Sequence, residues 1–241
     1  MNSEPLASVD SVQLHAPPAI AGGTPAYPAE RRVIFQAPVI TNADLAAIEK
    51  CLKSGWIGKG PRVEEFESQF AEYKGAPYAV GVSSCSAALH LALMALGIGP
   101  GDEVIAPTMT FCATVHAILH VGATPVLADC GLDNENILPE EIERRITPRT
   151  RAVIIVHMAG RPCAMDAILH IVRTHNLRLI EDCAHAIEAQ YKGKPTGLMG
   201  DLGCFSFYPT KNLTTSEGGM VITSSRRLFR RVRLLSQNGA V

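Results

Sequence analysis

The sequence has no excess of positive charge, since 22 Lys and Arg residues face 23 Asp and Glu residues for a formal net charge of −1. Proteins that bind nucleic acid through its phosphates need a basic surface, so the composition argues against that class. A bound anion would have to be held by local backbone groups. There is also no run of about 18 apolar residues, and we expect no membrane span. The first residues lack the basic-then-apolar pattern of a secretory signal, which favours a cytoplasmic protein.

None of the seven cysteines belongs to a C-x-x-C pair, and most stand in apolar runs. We therefore expect reduced, buried thiols in a cytosolic protein. The cysteines are Cys51, Cys85, Cys112, Cys130, Cys163, Cys183 and Cys204.

Three motifs of nucleotide-binding and hydrolytic enzymes are missing or misplaced. The glycines of residues 97–101 follow a helical pattern and precede a strand pattern, the reverse of a dinucleotide-binding loop. Gly58-Lys59-Gly60 lacks a following Ser or Thr and a preceding strand, so it is not a P-loop. No G-x-S-x-G nucleophile elbow is present. An oxidoreductase of the Rossmann type therefore has little support.

The composition divides the chain into two parts. Residues 1–29 are rich in Ala, Pro, Ser and Gly, and we expect a flexible N-terminal arm there. Residues 30–241 are predicted to form one large domain. Its regular pattern begins with a helix that Thr41 or Asn42 caps and that ends near Ser54.

Beyond that helix, short β-branched runs alternate with helical patterns. The predicted strands are Tyr78–Val82, Glu103–Pro107, Thr124–Ala128, Ala152–His157, Arg178–Asp182, Gly203–Tyr208 and Met220–Thr223. The predicted helices are Val63–Tyr73, Ser86–Leu96, Cys112–Val121, Pro139–Ile146, Met165–Thr174 and Arg226–Leu235. This alternation predicts an α/β fold with a mostly parallel, seven-stranded sheet and helices on both faces. Ligands of such folds collect where the parallel strands end.

A lysine and a carboxylate stand at the ends of two predicted strands. Lys211 follows Gly203–Tyr208 across a turn that contains Pro209, and Asp182 ends another apolar run. Lysine forms Schiff bases with carbonyl compounds, including pyridoxal phosphate. A carboxylate against a pyridine nitrogen keeps that nitrogen protonated, so that the ring can withdraw electrons. A lone lysine is normally a solvated charge, but the tight turn at Glu217-Gly218-Gly219 favours a defined pocket here.

Other residues at strand ends allow two interpretations. Ser86, in a turn of small residues before a helix, could hold a phosphate, although a simple helix cap by Ser84 or Ser86 is the commoner case. Phe111 could stack on a flat heterocycle, although a core position is commoner.

The segment 181–185 also allows two interpretations. His185 could hydrogen-bond a ring substituent, and Ser206 could donate to the same phosphate. Glu181, Asp182, Cys183 and His185 could instead bind a metal ion, but no second ligand cluster with zinc-like spacing accompanies them, and we expect no metal site.

Several ordered motifs together resemble the DegT/DnrJ/EryC1/StrS aminotransferases, which are pyridoxal-phosphate-dependent enzymes of fold type I. The resemblance covers roughly Gly22 to Val241. The motifs are residues 54–61 (SGWIGKGP), 64–67 (EEFE), 83–89 (SSCSAAL), 101–105 (GDEVI), 110–114 (TFCAT), 181–186 (EDCAHA), 205–212 (FSFYPTKN) and 217–219 (EGG).

The resemblance implies roles around the cofactor ring. Lys211 matches the Schiff-base lysine, and its presence argues against the dehydrating branch, which has histidine there. Asp182 matches the partner of the pyridine nitrogen. His185 matches a position near the phenolic oxygen, and Phe111 matches the aromatic residue that stacks on the ring.

The resemblance also implies a phosphate site and a partner subunit. Ser86, the Ala87 backbone and Ser206 match phosphate contacts. Asn238 resembles the asparagine that reaches the phosphate of the neighbouring subunit, which implies a homodimer with shared active sites. The family usually has Gly-Thr where Cys85-Ser86 stands, so we expect the thiol to crowd the phosphate turn while the hydroxyl is kept.

The implied reaction moves an amino group from an amino-acid donor, usually glutamate, to a keto-sugar that carries a nucleotide. Family members continue into a small C-terminal domain that helps to bind the sugar, and we expect residues 30–241 to form the cofactor domain without it. The alternative is a truncated, non-catalytic homologue that binds the cofactor or a partner.

Overall fold

The computed structural model describes residues 38–237. The predicted arm at residues 1–29 and the residue Asn238 lie outside this range. The helices are α1 (Asn42–Lys53), α2 (Pro61–Lys74), α3 (Cys85–Leu96), α4 (Cys112–His120), α5 (Pro139–Arg144), α6 (Met165–Thr174) and α7 (Arg226–Leu235). The strands are β1 (Tyr78–Val82), β2 (Glu103–Pro107), β3 (Thr124–Ala128), β4 (Thr150–Val156), β5 (Arg178–Asp182), β6 (Gln190–Tyr191), β7 (Lys194–Pro195), β8 (Leu202–Ser206) and β9 (Gly219–Thr223).

Seven strands form one sheet in the order β1–β9–β8–β5–β4–β2–β3. β9 is antiparallel to both of its neighbours, and the other pairs are parallel. The predicted α/β class and mostly parallel seven-stranded sheet are therefore confirmed. The separate hairpin of β6 and β7 was missed, because strands of two residues are too short for an alternating pattern.

The central strands are buried on both faces, which explains their continuous apolar sequences. In β2, Val104 and Ala106 pack with α3 and α4 on one face, and Ile105 packs with α6 on the other. Successive side chains of a strand point to opposite faces, so each strand contributes to two apolar layers. The result is a sheet between two layers of helices.

A third apolar cluster lies between α2 and the strands β8 and β9. Phe70 makes edge-to-face contacts with Phe205 and Phe207, at ring-centroid distances of 5.1 and 5.4 Å. Phe66 adds a further contact with Phe207 at 5.1 Å. The predicted common face of Phe66 and Phe70 thus packs against the strand that precedes Lys211.

The end of β8 differs from the prediction in a way that matters for Lys211. β8 ends at Ser206, not at Tyr208, because Phe207 N–H donates to Gly218 O while Phe207 O accepts from Thr215 N–H. Lys211 therefore lies within the connection between β8 and β9, in a turn where its N–H donates to Tyr208 O at 2.9 Å.

Thr41, one of the two predicted caps, is the N-cap of α1, and its side chain and that of Asp44 form a capping box. α1 buries none of its residues against the described part of the chain. None of the helices in residues 38–237 combines the length and apolar character needed to cross a membrane.

The expectation of buried cysteines is only partly correct. Cys163, Cys183 and Cys204 are buried, whereas Cys51, Cys85 and Cys130 are half-buried and Cys112 is exposed. Cys112 is the first residue of α4, where the side chain lies outside the contact between helix and sheet.

Candidate active site

A cavity of about 530 Å³ opens at the edge where the parallel strands end. Its wall includes Asp182 at the end of β5, Ser206 at the end of β8, Lys211, and the first residues of α3. The turn before β9 closes this wall, because β9 runs in the opposite direction and begins at the same edge. Gly219 fits there only as glycine, since a Cβ atom would lie 2.5 Å from the carbonyl carbon of Ser84.

The Asp182 carboxylate is buried and receives hydrogen bonds on both oxygens. Oδ1 accepts from Ala184 N–H at 3.0 Å and from the Cys85 thiol at 3.9 Å. Oδ2 accepts from the Thr114 hydroxyl at 3.1 Å. Burial raises the pKa of Asp182, and the Ala184 and Thr114 hydrogen bonds oppose this shift without cancelling it.

The Lys211 amine lies in the same cavity and is half-buried. Burial lowers the pKa of Lys211, and the nearby Asp182 and Cys85 oppose this shift. A lowered pKa favours the neutral amine, which is the nucleophilic form. Lys211 therefore has the environment of a reactive lysine rather than that of a solvated surface charge.

His185 lies beside Lys211, and its ring has a defined orientation. Ala159 N–H donates to His185 Nδ1 at 3.4 Å, so that Nε2 is left to carry the ring hydrogen. Burial and the positive charge of Lys211 lower the pKa of His185. Ala159 and Gly160 both have a positive φ, and a Cβ atom on Gly160 would lie 3.2 Å from His185 O. This tight turn holds residues 159–160, which follow β4, close to His185.

The start of α3 forms another wall, and it is capped by the chain itself. Ser84 Oγ accepts from Ala87 N–H at 3.1 Å, so the backbone group predicted to contact a phosphate serves the helix cap in this structure. Ala87 lines a neighbouring cavity, whereas the exposed Ser86 lines the cavity of Lys211. The Cys85 thiol points towards Asp182 and not into the phosphate turn, contrary to the expected crowding.

Phe111 stands at the mouth of the cavity as the residue before α4. Its side chain is 73% exposed, which excludes the core position that was the commoner interpretation of the sequence. Ser206, at the end of β8, also lines the cavity; it is buried and accepts a hydrogen bond from Tyr208 N–H at 3.4 Å.

The side chain of Glu181 points to the face of β5 opposite that of Asp182, and it binds backbone N–H groups instead of lining the cavity. Its carboxylate accepts from His157 Nε2 at 3.0 Å and from the backbone N–H groups of Gly197, Met199 and Gly200 at 2.7–2.9 Å. Burial alone would raise the pKa of Glu181, but these hydrogen bonds outweigh it and the pKa is lowered.

The metal interpretation of this segment therefore named the wrong histidine. The ligand atoms of His157, Glu181 and Cys183 lie within 4.8 Å of one another, whereas Asp182 and His185 face the cavity. The four N–H donors on Glu181 satisfy its oxygens without an ion.

The structure brings six of the eight predicted site residues to one cavity. These are Ser86, Phe111, Asp182, His185, Ser206 and Lys211. Ala87 lies just outside it, and Asn238 is outside the described residues. The sequence did not predict that three further residues, Thr110, Thr114 and Cys85, lie near Asp182. The two threonines are four residues apart, but Thr110 precedes α4 and only Thr114 is helical, so no sequence signal placed them together.

The comparisons with known proteins show the family and the fold of the chain. A model of the DegT/DnrJ/EryC1/StrS aminotransferase family matches residues 38–241, and the chain belongs to this family. The sheet with helices on both faces is that of the pyridoxal-phosphate transferases of fold type I. The resemblance proposed from the motifs is thereby confirmed.

Three similar proteins illustrate the family. Spore coat polysaccharide biosynthesis protein SpsC of Bacillus subtilis (strain 168) is 48% identical over 205 residues, which are 85% of this chain and 53% of SpsC. GDP-perosamine synthase of Escherichia coli O157:H7 is 45% identical over 195 residues, which are 80% of this chain and 54% of that protein. Spr1654 of Streptococcus pneumoniae, solved in a PLP form, superposes with a TM-score of 0.83 at 34% identity, covering 87% of this chain and 59% of that chain. The chain spans about half the length of the curated relatives it matches.

Proposed function

We propose that this chain is the cofactor-binding part of a pyridoxal-phosphate-dependent sugar aminotransferase. The observation that carries the proposal is the meeting of Lys211 and Asp182 in one cavity, in a chain of this family. The cavity volume of about 530 Å³ lies in the range of small-molecule sites. A half-buried amine and a buried carboxylate fit an aldehyde and a pyridine nitrogen on the same ligand.

The cofactor, when bound, supplies an electron sink that stabilises negative charge on the substrate carbon. Lys211 would hold the cofactor's aldehyde and, once the amino donor has displaced it, its free amine would move a proton at the donor's α-carbon, for which its lowered pKa is suited. Asp182 would hold a proton on the cofactor's ring nitrogen. The positive ring nitrogen would in turn favour the ionised form of the Asp182 carboxylate and so oppose the effect of burial on its pKa.

The remaining predicted residues orient the ring and hold its phosphate. The exposed Phe111 would stack on the ring at the cavity mouth, and His185 Nε2 would donate to the phenolic oxygen. Ser86 and Ser206 would donate to the phosphate near the N-terminus of α3, where the helix dipole favours an anion. The Ala87 N–H could join them only by giving up its bond to Ser84.

The substrates are proposed from the names of relatives. SpsC is named for polysaccharide biosynthesis and GDP-perosamine synthase for a nucleotide-linked amino sugar. We infer a nucleotide-linked keto-sugar as acceptor and glutamate as donor. The donor's amino nitrogen replaces the sugar's carbonyl oxygen, and the products are an amino sugar and a 2-oxo acid.

A second candidate is a non-catalytic homologue that binds the cofactor or a partner subunit. The cavity would then bind the cofactor without turning over a sugar.

Absorbance spectroscopy separates these candidates. Pyridoxal phosphate should give a new band with the unaltered chain and with Lys50→Ala, which changes an exposed lysine of α1, but not with Lys211→Ala. Addition of glutamate should then convert the band, with release of 2-oxoglutarate. Absence of a Lys211-dependent band refutes the cofactor site. A band that glutamate does not convert supports the non-catalytic homologue.

We also propose a homodimer in which Asn238 of each subunit reaches the phosphate in the other. Sedimentation with and without pyridoxal phosphate should show a dimer that the cofactor stabilises. An Asn238→Ala chain should dimerise with weaker cofactor binding. A monomer with unaltered cofactor affinity would refute the shared site.

A further inference from the structure

Thr114 connects the wall of the cavity to the buried Asp182. Its side chain is fully buried in the first turn of α4, and its hydroxyl donates to Asp182 Oδ2 at 3.1 Å. The same Oγ1 lies 2.7 Å from Oγ1 of Thr110, which lines the cavity. Since the Thr114 hydrogen is used on the carboxylate, the 2.7 Å contact takes the Thr110 hydrogen, in preference to the longer contact of Thr110 Oγ1 with Phe111 O at 3.3 Å. The two hydroxyls therefore form a chain of hydrogen bonds that ends on Asp182.

Each oxygen of Asp182 is held from a different direction. Ala184 N–H and the Cys85 thiol approach Oδ1, and Thr114 approaches Oδ2. The Cys85 contact is the weaker one, because a thiol is a poor donor and the distance is 3.9 Å. Thr114 is thus the main side-chain donor to Asp182 and the only donor recorded on Oδ2 among the described residues.

The helices that carry these donors add to the same effect. Cys85 is the first residue of α3 and Thr114 the third of α4, so the first turn of each helix lies beside Asp182. The positive end of a helix dipole stabilises a nearby carboxylate. A valine at position 114 would fill the same space as threonine, so packing alone does not require a hydroxyl there.

We propose that Thr114, supported by Thr110, is a positioning residue that fixes the orientation of the Asp182 carboxylate and favours its ionised form for contact with the cofactor's ring nitrogen. This inference rests on the proposed function. Thr114 acts through Asp182 and touches no reacting atom.

The electrostatics of the cavity are consistent with this role. Burial is the largest influence on the pKa of Asp182 and raises it, while the Thr114 hydroxyl is among the groups that lower it. Without that hydroxyl, burial would raise the pKa of Asp182 further. The other titratable groups around Asp182 are His185, His157, Lys211, Cys85, Cys183 and Cys204.

The first test titrates Asp182 without cofactor. Carbon-13 NMR of aspartate-labelled chain would follow the carboxyl signal with pH, and Asp182→Asn would assign it. Thr114→Val should raise the pKa of Asp182, and Thr114→Ser, which keeps the hydroxyl, should leave it near the unaltered value. Circular dichroism would verify that both variants fold. An unchanged pKa in a folded Thr114→Val chain overturns the proposal.

The second test uses the cofactor. Thr114→Val should weaken pyridoxal phosphate binding roughly tenfold, the effect of one lost hydrogen bond to a charged group, and Thr114→Ser should restore it. The Lys211-dependent band should also titrate at a different pH in Thr114→Val, because the ring nitrogen has a less ionised partner. If Thr114→Val matches the unaltered chain in affinity and in this titration, Thr114 is not a positioning residue.

The two tests separate this inference from the proposed function. If the unaltered chain gives no Lys211-dependent band, the proposed function fails, and the titration of Asp182 alone decides whether Thr114 favours its ionised form. If the band is present and Thr114→Val behaves like the unaltered chain in both tests, the proposed function stands and the inference fails.

Discussion

Lys211 and Asp182 each make the folded chain less stable than it could be. Burial disfavours the charged form of both groups, lowering the pKa of Lys211 and raising that of Asp182. Shifts of this kind concentrate at functional sites, where activity is kept at the expense of stability. This cost can be measured on the chain without cofactor.

Replacing Lys211 by methionine should stabilise the cofactor-free chain at neutral pH. The folded-state pKa of Lys211 lies below its ordinary value of 10.5, so the penalty for burying the charge is complete below the folded pKa. It disappears as the pH rises through the ordinary value. The gain should be only about 0.5 kcal/mol at pH 7, because a half-buried amine is partly screened by solvent.

Urea unfolding at pH 7 and at pH 11 measures this gain. Lys50→Met, at an exposed position of α1, is the control and should have little effect at either pH. A gain for Lys211→Met that is the same at both pH values would contradict the electrostatic explanation.

The residues of the cavity could be predicted from sequence only in part. Lys211 and Asp182 could be found because each ends or follows a recognisable strand and has a known chemistry. The contact of Thr114 could not, because its partner is 68 residues away and the contact depends on how the fold brings the first turn of α4 to the end of β5. The direction of the Cys85 thiol, whose partner is 97 residues away, was wrongly expected for the same reason.

Among the elements, α3 and α7 offer a matched pair of helix caps. Ser84 accepts from Ala87 N–H at the cavity, and Ser225 accepts from Leu228 N–H at the opposite edge of the sheet. Either Ser→Ala change should lower the free energy of unfolding by about 1 kcal/mol. Only Ser84→Ala should also change the affinity for pyridoxal phosphate, because it frees an N–H beside the proposed phosphate site.

Thermal unfolding and a cofactor titration of the two variants test this prediction. Equal changes in cofactor affinity for Ser84→Ala and Ser225→Ala would mean that the start of α3 lies too far from the phosphate to affect it.

The elements themselves were predictable where local sequence decides them. β1, β2, β3 and β5 have the predicted bounds, and so have α6 and α7. β8 ends early because Phe207 forms its backbone hydrogen bonds with Thr215 and Gly218, at the far end of its own loop. The residues of β8 alone do not indicate this pairing. The hairpin of β6 and β7 is stabilised from outside, since Thr196 Oγ1 donates to Ala186 O at 2.6 Å.

For the molecule as a whole, Glu181 should be among the carboxylates that limit stability in acid. Its folded pKa lies below the ordinary 4.5, so its contribution is present above that value and is lost as the pH falls through the folded pKa. Glu181→Gln should cost about 3 kcal/mol at pH 7, because the amide group would face N–H donors.

Urea unfolding between pH 3 and pH 7 tests this expectation. The difference between Glu181→Gln and the unaltered chain should shrink towards pH 3. The exposed Glu188→Gln is the control and should change stability little. A cost for Glu181→Gln that does not vary with pH would point to lost packing rather than to charge.

The antiparallel direction of β9 also determines how the loop that carries Lys211 is anchored. The loop that carries Lys211 leaves the sheet at Ser206 and returns to it at the paired Gly219, and Phe207 N–H to Gly218 O closes it one residue further out. Both ends of the loop are therefore anchored in neighbouring strands. The amide hydrogens of Phe207 and of the β9 strand should exchange with solvent only when the sheet itself opens, so Lys211 keeps its place for as long as the sheet does.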